Sequence, residues 1–129
     1  MTNYDITALE DAFITVVKNA GICNNVYPNR PKSKETEDNF AVVSVSADLE
    51  DNACYGNTVV AVDLFAKDVK NLKNGKKLKF MYERLMSSMP KLIAGRYLVD
   101  ENPTIVPDSA DDYGFHARVI EFNITIKIQ

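Results

Sequence analysis

The sequence predicts an α+β fold: a two-layer domain whose mainly antiparallel sheet carries two helices packed on one face. Two stretches space their apolar residues at three- and four-residue steps, and several others run in strand-like alternation. Each element offers one apolar side, and helices and a sheet of that kind bury those sides most economically against one another. The predicted order is α-β-β-β-α-β-β in a single domain, 1–129.

The first helix follows Asp5, whose carboxylate can accept from the free amides of a first turn. Ile6, Leu9, Phe13, Val16, Val17 and Ala20 form its apolar stripe, and Gly21 is a natural stop. Val26 and Tyr27 begin a short strand that ends at Pro28. Between Pro28 and Asn39 the only apolar residues are prolines, which reads as a surface loop. In 40–47, "FAVVSVSA", Ala41, Val43, Val45 and Ala47 face one way and Phe40, Val42, Ser44 and Ser46 the other.

Residues 48–57 read as a connection turning at Gly56-Asn57, and a second strand follows over 58–66, with an antiparallel pairing to the first. Asp63 is the one charge inside that strand and needs solvent or a partner. The second helix runs from about Leu72 to Ile93 on Leu78, Met81, Tyr82, Leu85, Met89 and Leu92, with Pro90 ending or kinking it near Met89. Residues 96–107 supply one short strand, and "DSADDYG" an acidic turn. In the last segment Ile120, Phe122, Ile124, Ile126 and Ile128 alternate with Glu121, Asn123, Thr125 and Lys127, a strand with one buried and one wet face.

Bulk properties narrow the function classes. A chain of 129 residues is long enough to bury a core without disulfides, and its 46% hydrophobic and 26% charged content is that of a globular protein. A net charge of −3 gives no general attraction to nucleic acid or to anionic membranes. No apolar run reaches the roughly 20 residues of a membrane span, the start lacks a signal-peptide pattern, and Cys23 and Cys54 lack CxxC spacing. Reduced thiols and a cytoplasmic place of synthesis are expected.

No catalytic or metal motif stands out. His116 is the single histidine, with no GxSxG serine to serve, and one histidine with two dispersed cysteines does not make a metal site. Asp108, Asp111 and Asp112 lack the glycine and glutamate of a calcium loop, and "NGKK" has one glycine where a phosphate loop needs two. A small enzyme or ligand-binding domain would have to draw on His116, Asp63, Glu83 and Tyr82, which nothing in the sequence forces together. No cofactor is expected.

Charge is segregated. Lys67, Lys70, Lys73, Lys76, Lys77 and Lys79 cluster around the start of the second helix, where positive charge opposes the helix dipole. Residues 97–112 hold Asp100, Glu101, Asp108, Asp111 and Asp112 without Lys or Arg. Such a pair of patches suits head-to-tail self-association.

Taken together the segments resemble a known family. A helix leads into "VYPNRP", a charged loop with Lys32 and Lys34 precedes "NFAVVSVSADL", a strand ends in "VDLFAKD" before one long helix, and "DSADDYG" precedes a terminal strand. This is similar to the tail terminator, or tail completion, proteins of lambda-like long-tailed bacteriophages. The matching pieces are an aromatic-x-x-x-Pro motif at Tyr27 to Pro31, the pair Leu64-Phe65, and the acidic turn from Asp111 to Phe115.

The resemblance implies a structural virion protein rather than an enzyme. Its subunits would form a ring, of six in the family, that caps the tail tube, ends its polymerisation and offers a surface to the head-completion protein. Sheets would line the channel with helices outside, and DNA would pass only as cargo, with no membrane involved. The place would be the virion tail, after assembly in the host cytoplasm. The loops and the segregated charge, the latter not a feature of the family, together place the expected contacts to a neighbouring subunit or to the tube on Tyr27, Arg30, Lys32, Lys34, Lys73, Lys76, Lys77, Asp108, Asp111 and Asp112. Another phage neck component, or a component of a contractile apparatus, is the alternative within the same class.

Overall fold

A computed structural model describes residues 6–29, 38–45, 50–52 and 55–127. Helix α1 (Ile6–Asn19) buries Leu9, Phe13 and Val17 on the stripe its spacing predicts; Asp5, its expected cap, lies outside the described residues. Gly21 ends it with φ +68° and an amide bonded to the Lys18 carbonyl at 3.1 Å, a left-handed exit that a Cβ would strain.

Strand β1 (Val26–Tyr27) runs parallel to β2 (Asn39–Val45), with Val26 opposite Ala41. Strand β2 pairs antiparallel with β4 (Tyr55–Lys67), from Asn39 opposite Ala66 to Val45 opposite Val60. The second long strand thus begins at Tyr55 rather than 58, and the supposed connection contains β3 (Glu50–Asn52), folded back on the start of β4.

Helix α2 (Gly75–Ser88) is shorter than the expected 72–93. The Asn74 side chain caps it by accepting from the Lys77 amide at 3.1 Å, and Met89 is extended, as a residue before proline prefers. Leu92 therefore leaves the helix and joins β5 (Leu92–Ile93), which pairs with β6 (Tyr97–Val99). Strand β7 (Thr104–Ala110) takes in the first part of the expected acidic turn, and β8 (Phe115–Lys127) starts three residues before Arg118.

The fold class differs from the expectation. Strands hold 46% of the described residues, and the two-layer antiparallel arrangement is replaced by one mixed sheet curled into a half-barrel. Its path is β1-β2-β4-β8-β6-β5, with β3 added on β4 and β7 on β8. The reason lies in β4 and β8, thirteen residues each and paired along their whole length. Strands that long twist and coil, and each is flanked on its outer side by two shorter strands in succession. A bulge between Val106 and Ser109 of β7 bends that edge further.

Both faces of the sheet are partly buried. Ala41, Val43, Val60, Val62, Leu64, Ile120, Phe122, Ile124 and Ile126 pack with the buried residues of both helices in the main core, where Phe13 and Phe122 rings lie 6.0 Å apart. On the opposite face Phe40, Val42, Phe65, Phe115 and Ala117 form a second core, with Phe40 stacked 4.6 Å from Phe65. The strand face expected to be wet is thus apolar at one end.

Candidate functional site

Two of the charged residues singled out in the sequence, Lys73 and Asp108, meet at the connection from β4 to α2. Val69 and Leu72 bond each other's amides and carbonyls at 2.9 and 3.0 Å, closing a two-residue turn whose tip residues, Lys70 and Asn71, have φ of +53° and +65°. Positive φ at both central positions is the geometry of the tight hairpin turn that matches strand twist.

A clasp holds this turn at either end. The Asp68 carboxylate lies 2.6 Å from His116 Nδ1, and the Asp68 amide donates to the Gly114 carbonyl at 2.8 Å. At the other end Lys73 Nζ donates to Asp108 at 3.1 Å. Asp108 also accepts from Arg118 Nε and Nη2, at 2.8 and 2.9 Å. That two-pronged pairing, reinforced by Lys73, holds the Asp108 carboxyl below its ordinary range, and Asp108 in turn keeps Arg118 more firmly charged.

The bulge makes the pairing possible. Val106 is opposite Val119 and Ser109 opposite Ala117, so β7 carries one more residue than β8 over this span. The extra residue breaks the alternation and brings Asp108 to Arg118.

The next turn is stapled by Asp111, whose Oδ1 accepts from the amides of Tyr113 at 2.8 Å and Phe115 at 2.9 Å. Beside the hairpin opens a cleft of about 950 Å³, bordered by the α1 exit at Gly21–Asn25, the start of β2, Asp68 and the first turns of α2. Phe80 lies at its edge with Lys77 5.0 Å from its ring centre and Arg84 5.7 Å.

The predicted interface residues are thereby sorted. Lys73 and Asp108, expected on separate patches, meet within one chain; Lys77 lies over Phe80, and Lys76 and Asp112 are exposed. Tyr27 packs edge-on against Phe40 at 6.0 Å, as part of the second core. Arg30, Lys32 and Lys34 lie outside the described residues, as does Cys54.

The reading missed Arg118 and Asp68. Arg118 shares the parity of Ile120 to Ile126, so a charge there on the helix-side face had to find a partner. The set His116, Asp63, Glu83 and Tyr82 does not converge. His116 is opposite Ala66 on the helix side, Asp63 is opposite Val119 on the other side, and Glu83 is exposed. Burial, and then the nearby Glu121, push the Asp63 carboxyl up. Among the described residues no group of three His, Cys, Asp or Glu is placed to hold a metal ion, and no helix is long and apolar enough to cross a membrane.

No known protein-family pattern matches the sequence, and no curated protein matches it. Solved structures do share the fold. One, which carries no descriptive name, superposes with a TM-score of 0.65 at 12% identity over 95% of this chain and 93% of its own. Another is a chain from the virion of a native gene transfer agent particle, with a TM-score of 0.53 at 9% identity over 97% of this chain and 99% of its own. At these identities the likeness is one of fold.

Proposed function

We propose that the chain is a structural virion protein, and specifically the subunit of a ring that caps a tail tube. The observation carrying this reading is the fold match to a chain of a phage-like virion particle, which spans 97% of this chain and 99% of that one. The order of segments that resembles tail terminators supports the finer assignment. On this reading the protein works by shape: its ring seats on the last tube layer, refuses a further one and presents its free side to a head-completion protein. It is not an enzyme, it binds no cofactor, and DNA is cargo in its channel.

Mass photometry with and without tail-tube protein tests the assignment. The expected result is a ring of subunits, six by analogy, on its own or on tube ends, together with tubes of fixed length. A protein that stays monomeric and leaves tubes growing overturns it.

A further inference from the structure

Eight large hydrophobic side chains stand exposed among the described residues, and several of them gather at the two ends of the long strands. At one end Val69 and Leu72, 55% and 71% exposed, flank the clasped hairpin tip. At the other end Leu92 and Leu98 are directly opposite each other on β5 and β6, 50% and 52% exposed. The register gives their separation. The tip leaves β4 at Lys67, opposite Phe115, whereas Leu98 is opposite Thr125, ten residues further along β8. At about 3.3 Å per residue the two patches are roughly 33 Å apart.

We propose that these two patches bind each other between copies of this chain, the Val69–Leu72 tip of one subunit seating on the Leu92–Leu98 ridge of the next. The occupant follows from charge and from shape. Lys70 is at the apex of the tip, and two exposed carboxylates, Asp100 and Glu101, follow the ridge directly after β6; the cations bordering the ridge are the exposed Lys91, just before β5, and the half-buried Arg96, just before β6. Tip against tip would set Lys70 against Lys70, whereas tip against ridge sets it within reach of acids, and like charges face to face are costly. The tip is also held in advance by Asp68–His116 and Lys73–Asp108, so little ordering is left to do on docking. Two dissimilar patches at opposite ends form a heterologous contact, the kind that closes into a ring when the rotation allows.

The proposal deepens the ring assignment by naming its contact, and it rests on self-association alone. Sedimentation velocity of the full chain over a concentration series tests it, using Leu72→Asp for the tip and Leu98→Asp for the ridge. Both positions are exposed, and circular dichroism checks that each variant is folded. Wild type should grow in sedimentation coefficient with concentration, and each variant should stay monomeric. Mixed in equal amounts, the two variants should form one dimer and stop there, because one intact tip and one intact ridge remain between them. A wild type that is monomeric at every concentration, a variant that assembles as wild type does, or a mixture that yields only monomers overturns the interface. Tube capping is scored separately: a wild type that never caps tubes overturns the function, whereas variants that assemble unaltered overturn only this contact.

Discussion

Asp108 and Arg118 form a two-pronged pair, 2.8 and 2.9 Å long, that exists only because β7 carries one residue too many. Remove the bulge and Asp108 would fall opposite Ala117, on the face of Val106 and away from Arg118. A local irregularity of one edge strand therefore fixes the foot of the β4–α2 connection, through Lys73, to the end of β8.

Asp108→Ala leaves Arg118 half-buried without its acceptor and should cost about 2 kcal/mol. The pH dependence follows from the lowered carboxyl. The folded chain holds the proton off below the ordinary value of 3.8, so the unfolded chain takes it up first as acid is added. The gap between wild type and variant should be full well above that value and close as pH falls through the lower folded pKa. Urea melts of both proteins across an acid series measure it, and a gap independent of pH would show that the loss is packing alone.

Asp63 has the opposite sign. Its carboxyl is raised by burial first and by Glu121 second, so ionisation at neutral pH works against the folded state. Asp63→Asn should raise the melting temperature at neutral pH, with the gain shrinking as pH falls through the raised folded pKa and vanishing below the unfolded value near 3.8. Glu121→Gln should act in the same direction and less strongly, because it removes only the lesser cause. Scanning calorimetry at several pH values decides it, and a melting temperature lowered by Asp63→Asn at neutral pH contradicts the account.

What was legible in the sequence was long and periodic. The α1 stripe and the run Ile120 to Ile126 show their burial directly, because helical and strand periods survive over many residues. Pro90 marks the end of α2 to within two residues. What was not legible depends on register. Strands β3, β5 and β6 have two or three residues, too few to alternate; β3 and β6 exist because a long neighbour offers them a free edge, and β5 pairs in turn with β6. Phe40, Phe65 and Phe115 lie far apart in the chain, and only the alignment of β2, β4 and β8 makes them one cluster. The same holds for Lys73 and Asp108, whose opposite charges pointed to two subunits until the bulge set them side by side.

The turn between β5 and β6 carries a local conflict. Ala94 has φ +54° and precedes Gly95 at φ +71°, so a residue with a Cβ sits in the left-handed region. That conformation costs an L-residue roughly 1–2 kcal/mol, partly offset by the entropy glycine loses on folding. Ala94→Gly should therefore stabilise the protein by a few tenths to about 1 kcal/mol, and Ala94→Val should destabilise it by more. Chemical denaturation reads both, and a stabilising valine would contradict the strain argument.

Charge reversal in the lysine cluster has to distinguish lysines that hold the fold from lysines that face outward. Lys73→Glu puts a second carboxylate beside that of Asp108, in place of the cation that lies 3.1 Å from it and neutralises it. It should lower stability by about 1 kcal/mol and loosen the tip at 69–72, so a loss of assembly in that variant would not identify a contact. Lys76 is exposed on the first turn of α2, where its charge opposes the helix dipole, and Lys76→Glu should leave stability unchanged or raise it slightly. A Lys76→Glu protein that melts like wild type and yet fails to assemble would place the neighbouring subunit or tube against that turn. One that melts and assembles like wild type would leave Lys76 as a solvated charge.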